Sequence, residues 1–175
     1  PAVSAATKSW RSATCEARAV TGRLSFLAAA LWWGSLSTVG LLVVPMLFAH
    51  LPTPAMAGTM AAKLFAAQTW VSVCCALLLL LLSRPKGAVA LYPWAQAAML
   101  FIVGGMLLAL VSQYGVAPRI VARQDLRLWH TVGSVLYGLQ WLCALVVLLK
   151  MRLLGAVLHD SALLPSGIPD DPAGA

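Results

Sequence analysis

Five side chains in this sequence have the types and spacing of a soft-metal site. Met46 and His50 stand four residues apart, which puts them on one face of a helix. Met56 and Met60 repeat that spacing beyond a turn, and His130 opens a later apolar run. Thioether and imidazole ligands suit copper(I), and the same set would serve haem iron. The plainer reading is that methionine fills irregular gaps and a histidine at a helix end bonds a nearby carbonyl. The expectation is therefore no cofactor, with copper or haem as the alternative. Cys74, Cys75 and Cys143 lie inside apolar runs and Cys15 in a basic leader, with no CxxC or CxxCH. That pattern predicts neither a disulfide framework nor covalently attached haem.

Acid chemistry has little to work with. Glu16, Asp125, Asp160, Asp170 and Asp171 are the only carboxylates, and none lies in an apolar run. Proton and cation paths through membranes rest on such groups, so a carboxylate-based pump is excluded. Paired-acid glycosidase chemistry and the acid of a hydrolase triad are excluded from the same region. The sequence carries no phosphate-binding glycine loop, HExxH or GxSxG, and no enzymatic activity is expected. Gln68, Gln96, Gln113 and Gln140 lie in or near the runs, Gln140 deepest. Hydrogen bonding between helices is their expected role, a substrate contact the alternative.

These residues must be positioned by apolar elements. Of 175 residues 61% are hydrophobic and 10% charged, with a mean hydropathy of +0.88. Soluble domains carry about 25% charged residues. The apolar residues gather in four runs, 24–48, 64–82, 88–111 and 129–149, each near the ~20 residues that cross a bilayer as a helix. They are rich in Leu and Ala and do not alternate, which excludes strands. The fold class is all-α, a four-helix up-down-up-down transmembrane bundle over residues 24–150. A basic cytoplasmic leader, 1–23, is either an interfacial helix or a disordered segment. Residues 151–175, with Pro165, Pro169 and Pro172, form a flexible cytoplasmic tail. The first run is long for a signal sequence and lacks a cleavage pattern, so it is read as an uncleaved helix. No internal repeat is evident.

Charge sets the orientation. Lys8, Arg11, Arg18, Arg23, Arg84, Lys86, Lys150 and Arg152 fall on one side; Lys63, Arg119, Arg123 and Arg127 fall on the other. The richer side is cytoplasmic, with both termini. The net charge of +7 sits at run ends and marks topology and lipid contact, not nucleic acid. The connector "VAPRIVARQDLRLWH", 116–130, then carries three arginines on the outer face, against the usual bias.

In lipid, small residues and polar bonds hold helices together. Gly34 and Thr38, Gly105 and Ala109, Ser134 and Gly138, and Ala62 and Ala66 each form a small-residue face. Packing within the bundle is the expected use and dimerisation the alternative. Pro45 leaves the Leu41 carbonyl without its helical donor, which predicts a kink. Trp32, Trp33, Tyr92, Trp94 and Trp129 read as interfacial anchors.

The stretch "WWGSLSTVGLLVVPMLFAHLPTPAMAGTMAAKLF", 32–65, resembles the opening of the TMEM205-like, DUF4149 family of small four-helix membrane proteins. The resemblance rests on the Trp-Gly start, the Pro before Met-Leu-Phe, the Leu-Pro turn and Lys-Leu-Phe after a glycine. "APRIVAR" and "LWHTVGSVLYGLQW" extend it over about 24–150, and Pro45, Pro118, Arg119 and His130 fall in the pattern. It implies four helices and no defined reaction. Pro118 is expected to stop the third helix, and Arg119 to tie the connector to the end of the first helix or to lipid phosphate. Asp125 is expected to pair with one of the arginines. An anion-recognising mouth is the functional alternative.

The function expected from these residues is association: a homo-oligomer or an accessory subunit in a bacterial cytoplasmic membrane. A small oligomeric transporter or channel is the runner-up. A copper site predicts that His50→Ala combined with His130→Ala abolishes copper retention by the purified protein; copper held equally well by the double variant rules that site out.

Overall fold

The computed structural model describes the backbone of residues 2–83 and 93–163, and side chains mainly over 19–83 and 98–153. Six α-helices are present in the described residues: α1 Ala2–Ser37, α2 Val44–His50, α3 Pro54–Leu82, α4 Pro93–Leu110, α5 Ala117–Val121 and α6 Leu126–Leu163. Two six-residue π-helical segments, Thr38–Val43 and Val111–Val116, join α1 to α2 and α4 to α5. The result is four helical rods with apolar stretches Ala19–His50, Pro54–Leu82, Ala98–Val121 and Leu126–Leu153, each long enough to cross a membrane.

The π segments answer to the prolines. A proline has no N–H, and its ring collides with the carbonyl four residues back. Each π segment ends two residues before a proline, Pro45 or Pro118. The residue just ahead of the proline bonds five residues back: Val44 N–H to the Val39 carbonyl, Ala117 N–H to the Ser112 carbonyl. The wider turn eases the ring past the preceding backbone and lets the rod continue. Pro118 therefore does not end the third helix, as the sequence suggested. The helix runs ten residues beyond the expected boundary, to Val121.

Other boundaries also move. The second rod starts at Pro54, ten residues before the expected 64, because Thr53 caps it: its side chain accepts from Met56 N–H at 3.3 Å, with proline in the first turn. Gly58, Thr59 and Lys63 dilute the hydropathy there without breaking the helix. The leader is helical and continuous with the first span, and α6 runs to Leu163, past the expected 149. Residues 84–92 and 164–175, and the side chains of Tyr92 and Trp94, lie outside the described residues.

The rods form a ring in which α1 packs on α3, α3 on α4, α4 on α6, and α6 on α1. Along α6, Tyr137 meets Leu36 and Gly40, Trp141 meets Ser37 and Trp33, and Arg152 stacks on Phe26, so α6 runs antiparallel to α1. Gly133 meets Ile120, Cys143 meets Gly105, and Lys150 stacks on Phe101, so α6 also runs antiparallel to the third rod. The first and third rods are thus parallel. The core centres on Ala29, Trp32 and Leu36, Cys75, Ala76 and Leu79, Ala98 and Ile102, Ala144 and Val147.

Trp32 is fully buried and Trp33 half-buried against Trp141, with ring centroids 5.8 Å apart. Both are core residues, not the interfacial anchors expected. Trp32 occupies the space that Gly105 vacates. A Cβ at 105 would lie 2.8 Å from the Trp32 ring and 3.2 Å from the Cys143 Cβ. At Gly34 a Cβ would meet nothing within 4 Å. Gly105→Ala is therefore expected to lower stability by about 1–3 kcal/mol, while Gly34→Ala leaves it unchanged or gains up to about 1 kcal/mol from helix propensity. Unfolding of both variants in the same detergent measures the difference; equal stabilities would contradict the packing.

Candidate functional site

Two regions collect the polar side chains: a junction inside the bundle and a cationic rim at the connector end. The junction is made of neutral groups. Gln68 and Gln140 are buried, and both Nε2 groups donate to Ser72 Oγ, at 3.5 and 2.8 Å. Gln68 Nε2 also donates to Ser35 Oγ at 2.9 Å. One hydroxyl thus links α3 with α6, and one amide links α3 with α1. Trp141 Nε1 donates to Ser37 Oγ at 2.8 Å, and Tyr137 OH to the Leu36 carbonyl at 2.8 Å. Gln96 is exposed and Gln113 half-buried, away from these bonds. Two of the four glutamines therefore serve as interhelical ties. Hydropathy could not separate them, because it does not record which face a residue occupies.

Tyr137 was missed in the sequence. Its ring lies against Gly40 so closely that a Cβ there would come within 2.7 Å of Cε1. Its hydroxyl sits between the Leu36 carbonyl and the Gly40 amide, the pair that an ordinary α-turn would join. The available signal was the glycine in "STVGLLVVP", whose place in a helix interior calls for a close neighbour.

The rim is built on the connector after α5. Arg119 donates from Nη1 to the Gly115 carbonyl in the π segment, and its guanidinium stacks over Trp129 at 4.5 Å from the centroid. It therefore ties the third rod to the fourth, where the sequence suggested a tie to the first helix or to lipid phosphate. Asp125 caps α6, its Oδ1 accepting from Leu128 N–H at 3.4 Å, and not the expected arginine pairing. Arg123 N–H and Gln124 N–H bond back to the Ile120 and Arg119 carbonyls at 3.0 and 3.1 Å, the pattern that closes a helix around a left-handed residue. That residue is Arg123, with φ 54°; Asp125 follows with φ 33°. Glycine is the usual choice there.

The soft-metal residues are only partly assembled. Met46 and His50 of α2, with Leu47 and the flanking Val43 and Leu51, line a shallow groove of about 390 Å³. His50 Nδ1 lies 3.0 Å from the Met46 carbonyl. Met56, Met60 and His130 are exposed and do not line this groove. Among the described residues no group of three or more His, Cys, Asp or Glu is placed to hold a metal ion. Of the small-residue faces, Gly105 and Ala109 are buried, while Thr38, Ser134 and Gly138 are exposed and Gly34 borders open space.

Residues 27–128 match the family described as Domain of unknown function (DUF4149). The chain belongs to that family. The matched region begins within the first rod, covers the second and third, both prolines and the arginine connector, and ends at the start of α6. No curated protein and no solved structure matches the chain. In this DUF4149 protein the ties from α6, through Tyr137, Gln140 and Trp141, come from beyond the matched residues.

Because Gln68 and Gln140 share Ser72, their contributions should not add. Gln68→Leu and Gln140→Leu are each expected to cost about 0.5–1.7 kcal/mol, with the double variant losing less than the sum. A double-mutant cycle on unfolding in detergent measures this, and strict additivity would show the two amides to be independent.

Proposed function

We propose that this DUF4149 protein is non-enzymatic and acts by association within a bacterial cytoplasmic membrane, as a self-associated bundle or as an accessory subunit. In this reading it is TMEM205-like, with both termini cytoplasmic, as the 8 to 4 division of its Lys and Arg residues favours. The observation that carries the proposal is the outward turn of two small-residue faces. A Cβ at Gly34 or at Gly138 would meet nothing within 4 Å, and Thr38 and Ser134 beside them are exposed. The bundle packs without them. Small residues on a lipid-facing surface let a neighbouring helix approach closely enough for dispersion and weak polar bonds to hold it. The buried polar residues, Ser, Thr and Gln, are all neutral and are largely spent on ties between or within helices. That accords with a scaffold more than with an ion path.

Native mass spectrometry after extraction in mild detergent tests the proposal. The expected result is a mass above the 18.5 kDa of one chain, resolving into a second copy or another protein. Gly34→Leu with Gly138→Leu should remove that added mass while leaving the bundle folded. A wild-type protein that flies only as a bare monomer overturns the proposal and moves liposome flux assays to the front.

A further inference from the structure

The two halves of the bundle correspond. Each π segment is six residues long and is followed by one residue and a proline. A shift of 73 residues lays Thr38 on Val111 and Pro45 on Pro118. Beyond the connectors a shift of 72 lays the cap Thr53 on the cap Asp125, Phe65 on Tyr137, and Gln68 on Gln140. Several counterparts touch one another. The Trp32 ring fills the space at Gly105, its partner under the first shift. Phe65 and Tyr137 meet edge to face, with centroids 5.2 Å apart. Gln68 and Gln140 converge on one hydroxyl. Contact between a residue and its own counterpart is the mark of a two-fold axis. Since the first and third rods run parallel, that axis lies along the rods, the arrangement of parallel repeats in membrane proteins.

The correspondence fails at the two breaks. At the first, the Tyr137 hydroxyl donates to the Leu36 carbonyl, and its ring closes over Gly40. Ser37 and Thr38 bond the carbonyls of Trp33 and Gly34, at 2.9 Å each. At the second, the counterpart of Tyr137 is Phe65, which has no hydroxyl. Ser112 Oγ is buried with no partner, although Ser25, Thr59, Thr69 and Thr131 each bond the carbonyl four residues back. Arg119 hydrogen-bonds back to Gly115 within its own rod, and it meets α6 through the stack on Trp129, not through a hydrogen bond. Val116 and Ile120 rest on α6 over Gly133 by carbon contacts of 3.5 and 3.8 Å from the position of a Cβ there.

We infer that the chain is two equivalent helical hairpins about a pseudo-two-fold axis, with one hinge latched by the Tyr137 hydrogen bond and its twin without a hydrogen bond between helices among the described residues. The unlatched hinge, Val111–Val116, carries α5 and the arginine connector as the moving part of the bundle. Motion there slides apolar contacts over a glycine and shifts the Arg119 guanidinium on the Trp129 ring, breaking no hydrogen bond between helices. Motion at the first hinge must break a bond between helices.

Hydrogen–deuterium exchange on the full chain in lipid nanodiscs, read by mass spectrometry, tests this. Amides of 111–121 should exchange faster than those of 38–47. Tyr137→Phe removes one oxygen and keeps the ring; it should speed exchange in 38–47 by roughly three- to tenfold, the worth of one hydrogen bond. Phe65→Tyr supplies the missing hydroxyl and should slow 111–121. Equal protection of the two segments in the wild type, or a Tyr137→Phe variant with 38–47 unchanged, overturns the latch. A folded Phe65→Tyr protein with 111–121 unchanged overturns the equivalence of the hairpins. Should that variant not fold, the wild-type comparison and Tyr137→Phe decide the matter.

Discussion

A proline inside a membrane-spanning helix frees a carbonyl where no water waits to take it, and a free backbone group in hydrocarbon costs several kcal/mol. This protein meets that constraint twice, at Pro45 and Pro118, and much of the half of the bundle around them follows from how it does so. Each rod widens into a π turn just ahead of its proline. The widened turns draw in what lies beside them: Tyr137 at the first, the Arg119 side chain at the second. Gly40 is needed where the ring of Tyr137 closes, and Trp129 where the Arg119 guanidinium rests.

The half away from the prolines is held differently. Lipid is as apolar as leucine, so burial alone does not bring the rods together. Close approach does, as where Trp32 fills the place of a side chain at Gly105. Shared hydroxyls do the rest, with Ser72 receiving two glutamines and Ser37 receiving Trp141. Packing and polar ties are interleaved along α6, which alone touches all these features.

Four spans and the all-helical class were legible because hydropathy and length are one-dimensional properties. The ends of the helices were less so. Pro118 reads as a stop only if the helix must stay α-helical, and the π turn removes that condition. The start at Pro54 was hidden by Gly58 and Lys63, which lower hydropathy but do not oppose a capped helix. Gln140 was recognised as a deep polar residue, but its partner was not, because a tie between residues 72 and 140 leaves no local trace. The internal repeat was invisible for a related reason. It is carried by backbone form and by a handful of positions, while most counterparts, such as Gly40 and Gln113, share no chemistry.

The first and last helices are longer than the hydrocarbon of a bilayer is thick. At 1.5 Å per residue, α1 is about 54 Å long and α6 about 57 Å, against about 30 Å of hydrocarbon. Because these two run antiparallel, the start of α1 and the end of α6 leave the bundle at the same face. The molecule is thus shaped like a fork with two handles, both at the end away from its hinged rim. A body of this shape has leverage: a push on the handles from the aqueous side reaches the bundle through the two helices that Tyr137 bolts together.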